Sequence, residues 1–273
     1  MRAVNRSSWP VWIGAAIALS AIAIWHGSVN TPFPGSQFGT GYILMALIVF
    51  LALYTGRKRL RMLPVGRASV WLTLHVVGGL VALPLFWIHA GTLWPAGTVG
   101  GALAAFFYGV SLSGILGYGL QLWFSRRLTQ AASEIIYERI PAEIAQIRIE
   151  VEEVIRAAAE ESGSDTLGQD YLQTLAWYFA RPRFFWNSAF GGFGRRAEIW
   201  LQHHLQTIGR YLTATESTQL ARIATLAAKK RHLDVQYAMQ SLLKRWTMVH
   251  VPLAVAMLTL AVWHLILVNV FAR

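Results

Sequence analysis

Two pairs of histidines with the same spacing are the residues in this chain best suited to chemistry. His75 and His89 lie 14 residues apart in one apolar segment, and His250 and His264 lie 14 residues apart in another. Because a helix advances about 1.5 Å and 100° per residue, 14 residues span about 21 Å and return to within about 40° of the same face. Two such helices facing each other would form two stacked imidazole pairs. This geometry fits two bis-histidine haem irons, one above the other, in a membrane core about 30 Å thick.

The charged residues divide the chain into two chemically different parts. The chain has 273 residues, of which 55% are hydrophobic and 14% charged, and all 13 acidic residues lie between Glu134 and Asp234. We therefore expect a membrane domain at 1–125 with four spans, a helical cytoplasmic insert at 126–245, and a fifth transmembrane helix at 246–273. The absence of cysteine excludes c-type haem attachment, cysteine-ligated iron–sulfur clusters and disulfides within this chain.

Five apolar segments are predicted to cross the membrane, at about 12–25, 41–55, 69–90, 98–124 and 247–271. The first resembles a signal peptide, but we expect it to be a true span. Lys and Arg are absent from 26–40 and 90–97 and cluster at 57–67, 126–127 and 244–245. The positive-inside rule then predicts a multi-pass protein of the bacterial inner membrane with a cytoplasmic N-terminus and an outside C-terminus. The net charge of +11 is explained by Lys and Arg residues that cluster at the predicted membrane edges, so no nucleic-acid partner is expected.

The predicted topology also sets the pairing of the histidines. Spans three and five both run outward and are parallel, so His75 pairs with His250 on the cytoplasmic side and His89 with His264 on the outer side. Ionisable residues inside a membrane are costly and usually functional, which favours ligation over four satisfied core histidines. Zinc would need a tighter cluster. Each imidazole is expected to bind iron through one nitrogen and to donate its other N–H to a backbone carbonyl or a hydroxyl.

The four-histidine set resembles the haem core of dihaem membrane cytochromes b. In the cytochrome b subunit of bc complexes, two parallel helices carry two such pairs, each with 13 intervening residues. A basic stretch and a tryptophan precede each inner histidine (Trp71 and Trp246), a pattern more similar to small bacterial cytochrome b subunits. The resemblance implies two haem b groups, a four-helix haem bundle and electron exchange with quinone. The chain departs from the bc-complex pattern in its insert and in lacking a Pro-Glu-Trp-Tyr quinol motif.

Several other residues are candidates for the haem environment. Arg67 and Arg245 lie within two turns of an inner histidine and are expected to neutralise haem propionates, or else to meet lipid headgroups. His26 is an alternative donor on the outer side, or an interfacial side chain. Trp71 and Trp246 pack on the inner haem edge or lie in the membrane interface. The glycines after His75 and in span four make room for a macrocycle or serve ordinary helix packing; they are Gly78, Gly79, Gly101, Gly109, Gly114, Gly117 and Gly119.

The insert is predicted to be helical. Isoleucine and valine recur at three- and four-residue spacing from 135 to 151, with Pro141 kinking or restarting the helix. A break is expected at 162–164, a helix at 167–180, a loop with five aromatics at 181–196, and a Thr213–Glu216 capping box that opens a helix toward Lys230. Residues 233–245 are expected to continue into span five. His203, His204 and His232 are predicted surface residues. The loop aromatics, with Arg181 and Arg183, lie at the membrane surface and shape a quinone entrance, or form a small core.

These patterns predict an all-α integral membrane protein with five transmembrane helices and a four-helix dihaem bundle. The expected function is transmembrane electron transfer as the cytochrome b subunit of a quinol-linked oxidoreductase complex. The expected partners are membrane lipid, quinone and a periplasmic c-type multihaem cytochrome or iron–sulfur subunit, with the insert as a cap or docking platform. Two alternatives remain open: a histidine-dependent transporter or proton channel, and a haem-free membrane anchor of a redox complex.

Overall fold

The computed structural model describes residues 9–28, 35–59, 67–128, 135–192 and 194–271, and these residues contain helices and no β-strand. Four of the predicted features lie outside the described residues: Arg61, Phe193, the N-terminal arginines and Arg273. The backbones of His26, Arg126 and Arg127 are described but their side chains are not. The described chain divides into two compact units, one from 1–125 together with 246–273, and one from 126–245.

The first unit is built from long apolar helices. Its helices are α1 (Trp9–Ser28), α2 (Gly35–Arg59), α3 (Ala68–Ala90), α4 (Thr98–Leu128) and the C-terminal part of α10 (Ala214–Phe271). Four of the described helices, α2, α3, α4 and α10, are long and apolar enough to cross a membrane, whereas the apolar part of α1, Pro10–Trp25, is shorter. The chain is therefore compatible with a multi-pass membrane protein.

Helices α2, α3, α4 and α10 share one buried core. They contribute Leu44, Ile48, Ala82, Leu85, Phe86, Ala104, Phe107 and Met257. Helix α3 packs closely on α2 and on α1. Gly91 ends α3 in the left-handed conformation, with its N–H donating to the Trp87 carbonyl at 2.9 Å, as glycine often does just past a helix end. The short connection that follows sends α4 back beside α3, and the rings of Phe86 and Phe107 stack with centroids 4.5 Å apart.

The second unit has its own core around α5 (Ile140–Ser162). Pro141 lies in the first turn of α5, where its missing N–H costs nothing, so the predicted restart is confirmed. The run of Ile140, Ile144, Ile147 and Val151 is buried, but Ile136 precedes the helix and is 66% exposed. After the predicted break at 162–164, the chain does not form one regular helix. It forms α6 (Thr166–Asp170), a π-helical turn (Tyr171–Leu175) and α7 (Ala176–Phe179).

Two helices of this unit were not predicted. The expected loop contains α8 (Phe185–Ala189), and α9 (Arg195–Ile208) follows it. Helix α10 then begins where the capping box predicts, because Glu216 N donates to Thr213 Oγ1 at 3.3 Å and Thr213 N donates to Glu216 Oε2 at 3.0 Å. It continues without a break through 233–245 into the last apolar segment, as expected.

One predicted surface histidine is half-buried. His204 Nε2 lies 3.0 Å from Asp170 Oδ2, and its ring stacks on Trp200 with centroids 5.9 Å apart. The prediction that His204 is a surface residue was wrong, because its partner carboxylate is 34 residues away in sequence and no local pattern indicates the contact. His203 and His232 are exposed, as expected.

Candidate haem site

His89 and His264 line the same cavity. The cavity has a volume of about 560 Å³ and is walled by the first turns of α2 and α4 and the last turns of α3 and α10. This volume is within the range of about 300–1,000 Å³ usual for ligand sites. Because α3 and α10 both end at this cavity, they run in the same direction in this unit, as the predicted pairing requires. The walls are mainly apolar, with Phe38, Leu44, Met45, Ile48, Phe86, Leu103, Phe107, Ala261, Leu265 and Val268.

The imidazole of His89 is oriented by the first turns of α2. Its Nδ1 lies 3.1 Å from the Gln37 carbonyl oxygen and 3.4 Å from Thr40 Oγ1. The Thr40 hydroxyl donates to the same Gln37 carbonyl at 3.0 Å. Since a carbonyl oxygen only accepts, the proton of the neutral ring lies on Nδ1, and Nε2 carries the lone pair that a metal ligand needs.

A glycine allows this orientation. A Cβ built at Gly41 would lie 2.7 Å from His89 Cε1 and 3.2 Å from Nδ1, so a side chain there would displace the imidazole. The polar side chains that line the cavity include Tyr42 and Asn269, and Tyr42 Oη donates to Asn269 Oδ1 at 2.7 Å. This hydrogen bond ties α2 to the end of α10, close to His264 in the chain.

His75 repeats the arrangement of His89 at the other end of α2. Its Nδ1 lies 3.2 Å from the Leu51 carbonyl oxygen, and its ring packs beside Tyr54 with centroids 4.9 Å apart. The same tautomer follows, with the proton on Nδ1 and the lone pair on Nε2. Gly78, one turn further along α3, faces Leu47 and Leu51 of α2. Gly78 therefore serves ordinary small-residue helix packing.

His250 is positioned by α4 and by its own preceding turn. Its Nδ1 lies 3.1 Å from Ser113 Oγ, and its ring stacks on Trp246 with centroids 5.0 Å apart. Trp246 Nε1 donates to the Ser113 carbonyl at 2.8 Å. Gly117 accommodates the Trp246 ring, which a Cβ there would overlap. Trp246 therefore packs on the histidine four residues after it in sequence. Trp71, at the matching position before His75, stacks on Phe50 at 5.8 Å.

The sequence predicts that each imidazole has a carbonyl or hydroxyl partner for the ring nitrogen that does not bind metal. Such a partner is present at three of the four histidines. His75 and His89 each face a backbone carbonyl, and His250 faces a hydroxyl. The structure brings His89 and His264 to one cavity. His75 lies near the start of α3 and His250 lies inside α10, 14 residues before His264, and their pairing with each other stays a prediction.

The structure places the two sequence-predicted arginines differently, Arg67 at the start of α3 and Arg245 inside α10. Arg67 directly precedes α3 and is exposed. Arg245 belongs to the second unit, is exposed, and lies over the Phe185 ring with its Cζ atom 5.2 Å from the centroid. Their role as propionate counter-ions stays a prediction.

Sequence reasoning missed the residues that hold the histidines: Gln37, Thr40, Gly41 and Ser113. No spacing rule connects Gln37 to a histidine 52 residues away, since helix pairing alone brings them together. Among the described residues, no three histidine, cysteine, aspartate or glutamate side chains gather as a metal site. No family model, curated protein or solved structure matches this chain.

Proposed function

We propose that this protein is a dihaem b-type cytochrome subunit that transfers electrons across a membrane, between quinone and a redox partner on the outer face. The observation that carries the proposal is the cavity of about 560 Å³ that His89 and His264 line together. His89 and His264, from parallel helices at one largely apolar cavity, would hold the iron of a haem group through their imidazoles.

The donor set fits haem iron better than a metal ion that needs charged ligands. The first unit contains no Asp, Glu or Cys in the sequence, so its candidate ligands are uncharged side chains, chiefly the imidazoles. The Gln37 carbonyl holds the proton of His89 on Nδ1 and makes the ring a better donor through Nε2. Leu51 does the same for His75, and Ser113 contacts the corresponding atom of His250.

The haem groups would supply one-electron transfer without proton release from the ligands. The chain's residues set how easily that electron is accepted. Buried apolar residues such as Phe86 and Phe107 line the cavity beside the ligand side chains, and hydrogen bonds to Nδ1 adjust the basicity of the imidazoles. The different Nδ1 partners of His89 and His250 would give the two sites different potentials.

The membrane arrangement belongs to the same proposal. Four helices are apolar and long enough to span, and we propose α1 as a fifth, shorter span. The clusters of Lys and Arg at 57–67, 126–127 and 244–245 favour a bacterial inner membrane with the N-terminus and the insert in the cytoplasm. His75 and His250 would then lie near the cytoplasmic face, and His89 and His264 near the outer face.

The chain would work as a subunit of a larger complex. Its sequence contains no cysteine for other redox centres and no nucleotide motif. Electrons that reach the outer site would therefore pass to a partner, which we propose to be a periplasmic multihaem c-type cytochrome or an iron–sulfur protein. Quinone is the proposed membrane substrate.

Paired substitutions test the proposal. The variant His89→Ala with His264→Ala should lose one haem per chain, and His75→Ala with His250→Ala should lose the other, as measured by reduced-minus-oxidised spectra of the purified protein. His203→Ala with His232→Ala is the matched control, because both side chains are exposed in the insert and should keep full haem content. Equal haem content in all three variants would contradict the proposal and favour the haem-free alternatives.

A further inference from the structure

Two large aromatic side chains of the insert are exposed side by side. Trp186 is 66% exposed and Phe190 is 41% exposed. Their rings stack with centroids 6.2 Å apart and planes 17° from parallel. Both belong to the segment 181–196, which we call the aromatic–arginine segment. Two adjacent exposed aromatic rings form an apolar patch that favours contact with a partner over contact with water.

The fold holds two aromatic side chains of this segment, Trp186 and Phe190, outward. Phe184 adopts the left-handed conformation at φ 53°, which is uncommon for a bulky residue. Its ring turns toward the core, where it meets Trp177 at 5.9 Å and Trp200 at 6.3 Å. Trp186 and Phe190 then face away from the core, whereas Ser188 and Ala189 between them are buried.

Hydrogen bonds fix both ends of the segment. Lys230 Nζ donates to the Arg181 carbonyl at 3.1 Å. At the other end, Asn187 Nδ2 donates to the Gly191 carbonyl at 2.7 Å, and Arg196 N donates to Asn187 Oδ1 at 3.1 Å. The outward position of Trp186 and Phe190 is therefore part of the folded structure of the insert.

The charge around the patch is positive. The sequence has no Asp or Glu between Asp170 and Glu198, and this stretch carries Arg181, Arg183, Arg195 and Arg196. Arg181, Arg195 and Arg196 are exposed. Arginine together with tryptophan and phenylalanine is the composition of surfaces that bind the headgroup layer of anionic lipid.

Within the insert, the segment packs against the last residue of that unit. Phe185 packs under the guanidinium of Arg245 at 5.2 Å. Arg245 is the last residue of the insert, and Trp246 begins the final stretch of the membrane unit. The chain itself therefore holds the aromatic–arginine segment near the point where α10 leaves the insert.

We propose that the aromatic–arginine segment is a membrane-interface anchor that binds anionic lipid. Trp186 and Phe190 enter the boundary between headgroups and acyl chains, while Arg181, Arg195 and Arg196 contact phosphate groups. The anchor fixes the insert on the cytoplasmic leaflet. It does not depend on haem, so its test is independent of the proposed electron transfer.

The absence of cysteine allows a direct test with site-directed spin labels on the full chain. One label is placed through Phe190→Cys and a matched control label through Tyr211→Cys, since Tyr211 is 74% exposed in the same unit. Each protein is reconstituted in nanodiscs of neutral phosphatidylcholine or of phosphatidylcholine with phosphatidylglycerol. Power-saturation EPR then compares access of the label to oxygen, which concentrates in lipid, and to a water-soluble nickel chelate.

In anionic nanodiscs, the ratio of oxygen to nickel access should be several-fold higher at position 190 than at position 211. The added substitutions Arg195→Gln and Arg196→Gln, or neutral lipid, should lower it. Folding of each variant is checked by circular dichroism, and Trp186→Cys provides a second labelling site if Phe190→Cys unfolds the insert. The proposal is overturned if, in anionic nanodiscs, the nickel chelate reaches the label at position 190 as readily as the control label. It is also overturned if the label at position 190 is shielded only when a soluble protein or RNA is added.

Discussion

The Nδ1 atom of His89 lies 3.1 Å from the backbone carbonyl oxygen of Gln37. A backbone acceptor holds the proton on Nδ1 whatever side chain occupies position 37, so the sequence of α2 need only place a helical turn there. The imidazole then offers Nε2 as its lone-pair nitrogen. His75 has the same relationship with the Leu51 carbonyl. One helix, α2, therefore orients both histidines of α3.

Substitution of Gly41 should disturb one haem site selectively. In Gly41→Ala, the new Cβ would lie 2.7 Å from His89 Cε1, so the ring must move away from Gln37. Disturbed ligand orientation typically weakens metal binding by about 10- to 100-fold. We expect faster loss of one haem and an unchanged second haem, measured from the α-band during dilution into excess apomyoglobin.

The control for this variant is Gly119→Ala. Gly119 is exposed on α4, and a Cβ there meets nothing within 4 Å. It should retain both haems as the original protein does. If Gly41→Ala and Gly119→Ala release haem at the same rate, the position of His89 does not matter for haem binding.

Removal of the Ser113 hydroxyl should shift the potential of the other site. The hydroxyl lies 3.1 Å from His250 Nδ1, and loss of one such hydrogen bond is worth about 1 kcal/mol, or some tens of millivolts for a one-electron couple. Ser113→Ala should therefore move one of two midpoints in a potentiometric titration. Thr259→Ala, an exposed hydroxyl on α10 that donates to the Val255 carbonyl, should move neither. Movement of both midpoints by Ser113→Ala would indicate a general loss of structure.

The buried ion pair of the insert should make one variant sensitive to pH. Lys230 Nζ donates to Asp234 Oδ2 at 2.7 Å, and both side chains are buried, in the charged part of α10 that precedes the apolar span. Burial lowers the pKa of Lys230 to about 8 and raises the pKa of Asp234 to about 6. Lys230→Met leaves Asp234 buried without its cation, which should cost about 3–5 kcal/mol at pH 8.

The loss of stability caused by Lys230→Met should be smaller at pH 5 than at pH 8. The folded pKa of Asp234 lies above its ordinary value of 3.8, so the folded chain keeps a proton that the unfolded chain releases, and the free energy of unfolding falls as pH rises through this window. Limited proteolysis of the insert in the full chain measures the effect. Lys230→Met with Asp234→Leu should restore resistance, because an apolar pair replaces a buried ion pair at little cost. Equal protease sensitivity of Lys230→Met at pH 5 and pH 8 would refute this account.

Local patterns predicted the elements of this fold whose cause is local. Pro141 begins α5 because the first turn tolerates its missing N–H, and Thr213 with Glu216 caps α10 because the two groups lie one turn apart. The histidine spacing together with the predicted topology paired His89 with His264, and both residues line one cavity. Helices α3 and α10 run in the same direction at this cavity, which agrees with the predicted pairing.

Contacts between distant segments could not be predicted in this way. The second apolar segment was expected to begin at about residue 41, but α2 begins at Gly35 and its first turns hold His89. His204 was expected at the surface, but Asp170 and Trp200 enclose it. In both cases the deciding partner lies on another element, and its identity depends on how whole helices pack. The π-helical turn at Tyr171–Leu175 has no signal in residue spacing.

The central claim is that four histidines hold two haem groups, and a pyridine haemochrome assay of the purified full chain tests it most directly. We predict two b-type haems per chain, with sharp low-spin α-bands after reduction by dithionite. A colourless protein that stays colourless after reconstitution with haem would contradict the account, and the histidines would then be better explained by transport of protons or ions through the membrane.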